Sequence, residues 1–188
     1  MKNAFLLFCF FCIAFSGRSF AQISAPETGA VPDLYRNSIY LEIGGNGGLL
    51  TLNYERLIPL AAPHKMLALR VGGLFVPSGS RQTGYDYEFY LPLEVSVLMG
   101  KRAVKLELGL GTTIFGNGGS YLNNGQQLES YHRLEALSVL RVGGRWQKPG
   151  KNWFVRVGFT PVLQENYTVI PYPFSPWAGI SVGYNFGK

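Results

Sequence analysis

Residues 38–57 read Ser38-Ile-Tyr-Leu-Glu-Ile-Gly-Gly-Asn-Gly-Gly-Leu-Leu-Thr-Leu-Asn-Tyr-Glu-Arg-Leu57. Ile39, Leu41 and Ile43 alternate with Tyr40, Glu42 and Gly44. After a glycine-rich turn, Leu50, Leu52 and Tyr54 alternate with Thr51, Asn53 and Glu55. Period two is the mark of a strand, because successive side chains point to opposite faces. Asn46-Gly47 is a strong signal for a two-residue type I′ turn, since both central positions tolerate positive φ. That turn sets Gly45 opposite Gly48 and Ile43 opposite Leu50, so apolar meets apolar. The stretch is a hairpin with one oily face and one polar face.

The pattern recurs along the chain. Eight strands are expected near 38–46, 47–57, 66–77, 87–100, 103–115, 134–147, 152–163 and 177–187. Val104, Leu106, Leu108 and Leu110 oppose Lys105, Glu107, Gly109 and Gly111; Ile180, Val182, Tyr184 and Phe186 oppose Gly179, Ser181, Gly183 and Asn185. The strand near 134–147 is the least clean. Two further turns test the parity. A turn at Lys101-Arg102 pairs Met99 with Val104, and a turn at 148–151 leaves Trp146 and Trp153 on one face. A slip of one residue breaks all three hairpins.

Composition limits the class. The chain has 188 residues, of which 47% are hydrophobic, 14% aromatic and only 15% charged. Disorder and coiled coils are excluded by that balance. The net charge is +6 and no Lys/Arg run exceeds Lys101-Arg102, so no nucleic-acid partner is expected. Residues 1–21 have the form of a signal peptide: Lys2, the apolar run Ala4–Phe15, and a small-x-small cleavage site at Ser19-Phe20-Ala21. Cleavage after Ala21 removes Cys9 and Cys12, the only cysteines, so the mature chain has no disulfide and no cysteine metal site. Residues 22–37, with Pro26, Gly29 and Pro32, are expected to be a flexible lead, and 38–188 one domain.

Alternation alone does not say which face meets solvent. A soluble barrel puts its oily face inward and a membrane barrel does the reverse. Three features favour the reverse. The polar face is rich in small residues such as Gly44, Gly72, Gly109, Gly143 and Gly183, which suits a crowded interior. Its charges balance: Glu42, Glu55, Glu94, Glu107 and Glu135 against Arg70, Lys105, Arg141, Arg145 and Arg156. Paired charges suit a sealed lumen, where unpaired ones are expensive. Aromatics gather at strand ends on the oily face. Tyr54, Trp146, Trp153, Tyr184 and Phe186 form one girdle; Phe75, Phe89 and Phe159 form the other.

The expected fold is therefore all-β: an eight-stranded, antiparallel, up-and-down transmembrane β-barrel. A sheet inside a bilayer must have no unpaired edge, so it closes. Eight strands make a barrel whose interior side chains fill. Both termini then lie on one side, taken as the periplasm. Lys65, Lys101, Arg102, Lys148 and Lys151 fall on the inner turns. The outer connections are Asn46-Gly47 and roughly 78–86, 116–133 and 164–176.

On strand count, alternation, the rhythm of short turns and long loops, and the terminal segment Gly179-Ile-Ser-Val-Gly-Tyr-Asn-Phe186, the chain resembles the small outer-membrane β-barrel proteins of Gram-negative bacteria, the OmpA/OmpX-like superfamily. The stretch from Glu42 to Glu55 resembles the opening hairpin of uncharacterised barrels of that kind. The resemblance implies the cell outer membrane, contact with its lipid, and a C-terminal signal at 179–186 read by the barrel-insertion machinery. Here Gly187 and Lys188 follow the aromatic on which the family often ends.

Resemblance of fold does not confer a task. His64 and His132 are the mature chain's histidines. His64 lies on an inner turn. His132 sits near Glu129, Ser130 and Glu135, the ingredients of nucleophilic catalysis. Lipid A 3-O-deacylases use a His-x-Ser order, whereas Ser130-Tyr131-His132 is reversed, so no catalytic residue is carried over. Two distant histidines make no zinc site, and no cofactor is expected. The glycines at 44–48 lack a following helix and a Walker lysine. The expected role is non-enzymatic: envelope structure, or surface interaction through the loops 116–133 and 164–176. The alternatives are a lipid-modifying hydrolase centred on His132 and a narrow passive pore.

Overall fold

The computed structural model describes residues 35–79, 85–122, 128–148, 150–163 and 174–187. The expected signal peptide, most of the 22–37 lead, and residues 80–84, 123–127 and 164–173 of the expected outer connections lie outside the described residues.

The strands are β1 (Asn37–Gly44), β2 (Leu50–Pro59), β3 (Lys65–Gly79), β4 (Tyr85–Met99), β5 (Val104–Leu122), β6 (Leu128–Trp146), β7 (Trp153–Phe159), β8 (Val162–Leu163), β9 (Phe174–Ser175) and β10 (Ala178–Phe186). Each of β1 to β6 pairs antiparallel with the next, and β7 pairs with β10. β10 then pairs with β1 from Asn37↔Phe186 to Gly44↔Gly179 and closes the ring. The short β8 and β9 are continuations of β7 and β10. β8 pairs with β6 and with β9 in unbroken register, past the interruption at Thr160-Pro161. Pro161 has no N–H to give, but its carbonyl accepts from Leu140, and the Thr160 N–H donates to Trp177. The fold is an eight-stave, all-β, up-and-down antiparallel barrel.

The ladders run from Ile39 through Tyr54, Val71, Leu93, Thr112, Ser138 and Leu163 to Phe174. In the β10–β1 register, Phe174 falls level with residue 49. One circuit therefore climbs from 39 to 49, a stagger of ten residues. Stagger forces the staves to tilt, by roughly 35–45° in barrels of this type, and fixes the bore.

The expected parity holds on every stave. Ile39, Leu41 and Ile43 are exposed while Tyr40 and Glu42 are buried. Leu106, Leu108 and Leu110 are exposed, Leu110 by 58%, while Glu107 between them is at 0%. Ile180, Val182, Tyr184 and Phe186 face out; Ser181 and Asn185 face in. The aliphatic face is outside and the charged face inside.

Four expectations need correction. The described parts of 116–133 are strand rather than loop: residues 116–122 and 128–133 stay paired through Leu122↔Leu128 and form a ribbon. Gly116, Asn117, Gly118, Gly119 and Ser120 carry little hydrophobic contrast, so alternation could not announce this strand. Backbone pairing does not need it. At the inner turns, Met99 stands opposite Leu106 rather than Val104, and Trp146 stands opposite Val155, two residues past Trp153, so that the two tryptophans share a face as expected. Both shifts are two residues, and an even shift leaves every side chain on its face. The inward face is not polar throughout. Leu57, Met66, Ala68 and Leu98 pack into a buried apolar floor at the end that holds the termini. Finally, Asn46-Gly47 is not a two-residue outward turn. Positive φ falls on Gly44, Gly45 and Gly48 instead, and the turn folds inward, burying Asn46. The Ile43↔Leu50 pair is nonetheless as expected.

Candidate functional site: the lumenal ion network

Period-two placement puts at least one charged or polar group from every stave at the centre of the ring. β1 supplies Glu42, β2 Glu55, β3 Arg70, β4 Glu94, β5 Glu107, β6 Arg141 and Arg145, β7 Arg156, and β10 Ser181 and Asn185. All are buried.

Arg70 is the hub. Its Nε donates to Glu55 Oε2 at 2.6 Å, and its Nη1 donates to Glu107 Oε1 at 2.5 Å and also to Glu94. Three carboxylates from three other staves thus converge on one guanidinium. Arg141 Nη2 donates to Glu42 at 2.9 Å and its Nε to Glu94 at 2.8 Å. Arg156 Nη2 reaches Glu42 at 3.1 Å, and Ser181 Oγ donates to the same carboxylate oxygen at 3.1 Å. Arg145 donates to Glu55 and, through Nη2, to Asn185 Oδ1 at 2.7 Å. Ser38 Oγ donates to Glu55 Oε1 at 2.9 Å.

Two cations also lie over rings. The Arg145 guanidinium is 3.7 Å from the Phe154 centroid and that of Arg156 is 4.4 Å from Tyr40. A ring face is a poor substitute for water but an attractive neighbour for a desolvated cation. Gly183 makes room for both aromatics: a Cβ there would meet the Phe154 ring and Tyr40.

Of the ten lumenal residues expected from sequence, the structure brings together Glu42, Glu55, Arg70, Glu94, Glu107, Arg141, Arg145 and Arg156. Four carboxylates meet four guanidiniums. The other two stand apart. Glu135 sits on the raised ribbon, where Arg133 Nε donates to it at 2.5 Å on the same strand. Lys105 is half-buried opposite Arg145 and joins no ion pair among the described residues. Ser38, Ser181 and Asn185 join the network without having been expected there. Parity already places Ser181 and Asn185 on the face of the charges, and it reaches Ser38 as well. Asn46 could not be found that way, because it belongs to a turn. Its side-chain amide donates to Glu94, and its carbonyl accepts from the Thr113 hydroxyl.

A buried network of this kind is a clamp more than a reagent. Every carboxylate already has a cation, and replacing a member leaves its partners charged and unpaired.

His132 lies on the ribbon, opposite Gly118, and is exposed. Its Nδ1 is 3.1 Å from the Tyr87 hydroxyl, and Tyr87 stacks on Phe75 with centroids 6.0 Å apart. Gly118 permits the pair to meet, since a Cβ there would come within 2.8 Å of both His132 Nδ1 and the Tyr87 oxygen. His132 is thus part of an aromatic row on the outer face of the ribbon. His64 has positive φ on the β2–β3 turn, and its carbonyl accepts the Gly100 N–H, tying two inner turns together.

No protein-family model and no curated protein matches the sequence. Among solved structures, the N-terminal β-barrel domain of Pseudomonas aeruginosa OprF is similar at 12% identity and a TM-score of 0.43, over 80% of this chain and 95% of that one.

Proposed function

We propose that the chain is an integral outer-membrane β-barrel protein with a non-enzymatic role, in envelope structure or in surface interaction through its outer connections. One observation carries this reading: the ring wears its aliphatic side chains outside and its ion pairs inside. Water would penalise such a surface, because soluble monomers rarely expose an apolar patch beyond several hundred Å². A bilayer rewards it, and the closed ladder leaves no backbone group to pair with absent water. Exposed Trp153, Tyr184 and Phe186 near the terminal end, and Phe75 and Phe159 near the other, fit two interfacial girdles.

On this reading residues 1–21 direct export and are cleaved after Ala21. Residues 179–186 are read by the insertion machinery, and outer-membrane lipid contacts the aliphatic belt. The surface for a partner is the ribbon within 116–133 together with 164–176. The balanced clamp in the lumen favours a plugged, structural barrel over a passive pore. The Tyr87 contact favours an interfacial role for His132 over a hydrolytic one.

Expression with its own leader tests the placement. The protein should fractionate with the outer membrane and migrate faster in unboiled than in boiled gel samples. Recovery as a detergent-free soluble protein would overturn it. A His132→Ala strain with unaltered lipid A supports the non-enzymatic role, and altered lipid A replaces it with the hydrolase.

A further inference from the structure

The β1–β2 turn carries two instructions at once. Its Asn46-Gly47 pair suits a type I′ hairpin pointing away from the ring. In the structure the turn is folded into the mouth of the lumen opposite the termini, with left-handed φ at Gly44, Gly45 and Gly48. Both arrangements keep Ile43 opposite Leu50. Exchange between them requires no change of register, only rotation within a segment that is four-fifths glycine between Gly44 and Gly48.

Two side-chain hydrogen bonds hold the inward state, beside the packing of buried Gly45, Asn46 and Gly47. Asn46 donates to Glu94, but Glu94 already binds Arg70 and Arg141 and does not need a neutral donor. Thr113 donates to the Asn46 carbonyl. Against these two contacts, the Asn46 Oδ1 is buried without a hydrogen-bond partner among the described residues. Burying an acceptor unpaired opposes much of what one hydrogen bond contributes. The inward state also demands bare backbone. A Cβ on Gly45 would lie 2.5 Å from Glu42 Cδ, and Gly45 has φ of 69°.

We infer that the Gly44–Leu49 turn is a movable plug, which closes the outer half of the lumen when folded in and admits water and small solutes to Glu42, Glu94 and Thr113 when it swings out as an Asn46-Gly47 hairpin. Gly45→Ala separates the states. In the inward turn the alanine takes a left-handed φ and pushes on the Glu42 carboxylate, which Arg141 and Arg156 hold in place, while in the outward hairpin residue 45 is an ordinary flanking strand position.

The reporter is Thr51→Cys, a fully buried inward position against Gly47 that makes neither of the two hydrogen bonds holding the turn, in a chain whose Cys9 and Cys12 are replaced by alanine, folded in detergent micelles and treated with a small water-soluble methanethiosulfonate. With the native turn, modification should be slow; with Gly45→Ala it should be about tenfold faster or more, with gel mobility still heat-modifiable. Equal rates in the two folded proteins overturn the inference. A Gly45→Ala barrel that cannot fold also overturns it, because the outward turn would then be incompatible with the ring. On the native chain, backbone amide relaxation dispersion and saturation transfer should show exchange at Gly44, Gly45, Gly47 and Gly48 but not at Leu106 or Val182. Flat profiles at the four glycines count against a moving plug.

Discussion

The two faces of β5 reverse the usual order of a protein. On one face Leu106, Leu108 and Leu110 stand in the open; on the other Glu107 is fully buried with Arg70 at 2.5 Å. In a water-soluble domain burial of the leucines would supply the driving force. Here the leucines are left for the surroundings to satisfy, and the interior is held by charge. The inside itself divides. Around Arg70 it is ionic, and at the floor, around Leu57, Met66 and Leu98, it is apolar and close-packed. The ionic part gives directional contacts that select one ring of eight staves. The floor gives contacts that any hydrophobe of similar volume could supply.

The largest effect is expected from Arg70→Met. It removes the guanidinium shared by Glu55, Glu94 and Glu107 and leaves Glu107 with no cation nearer than 3.6 Å, and loss of one partner from a buried ion pair costs about 3–5 kcal/mol. Refolding yield, or urea midpoint in detergent, checks it; a wild-type midpoint would mean the network is decorative. Leu98→Ala in the floor should cost roughly 2–5 kcal/mol through the cavity it leaves, and Leu98→Met far less. Similar losses for both would show that the floor, too, is specific. Leu108→Arg tests the outer face directly. In a lipid bilayer it should destabilise by roughly 2–4 kcal/mol near the midplane. A neutral or favourable effect there would mean that this face meets water. The smallest change belongs to Arg133→Ala, which removes a half-exposed ion pair on the ribbon and should shift stability by at most about 1 kcal/mol.

Legibility followed the same division. Strand parity, ring size and eight of the ten lumenal charges were readable, because period two assigns each residue to a face without knowledge of its neighbours. Glu135 obeyed parity and still lay outside the network. Its height along β6 depends on how far the ribbon rises, and Gly118 and Ser120 gave no sign of that. Leu57, Met66 and Leu98 also obeyed parity, but their inward turn is sensible only once they are seen to meet across three staves.

The alternation of residue types by itself determined which side chains share a face and, through the number of alternating runs, how many staves form the wall. Both are local properties of extended backbone. Only the tertiary structure decided the stagger of ten, the two-residue shifts at the inner turns, the convergence on Arg70 and the inward fold of Asn46. Each of these depends on which strand lies beside which and at what height, and a pattern that repeats every second residue is blind to even displacements.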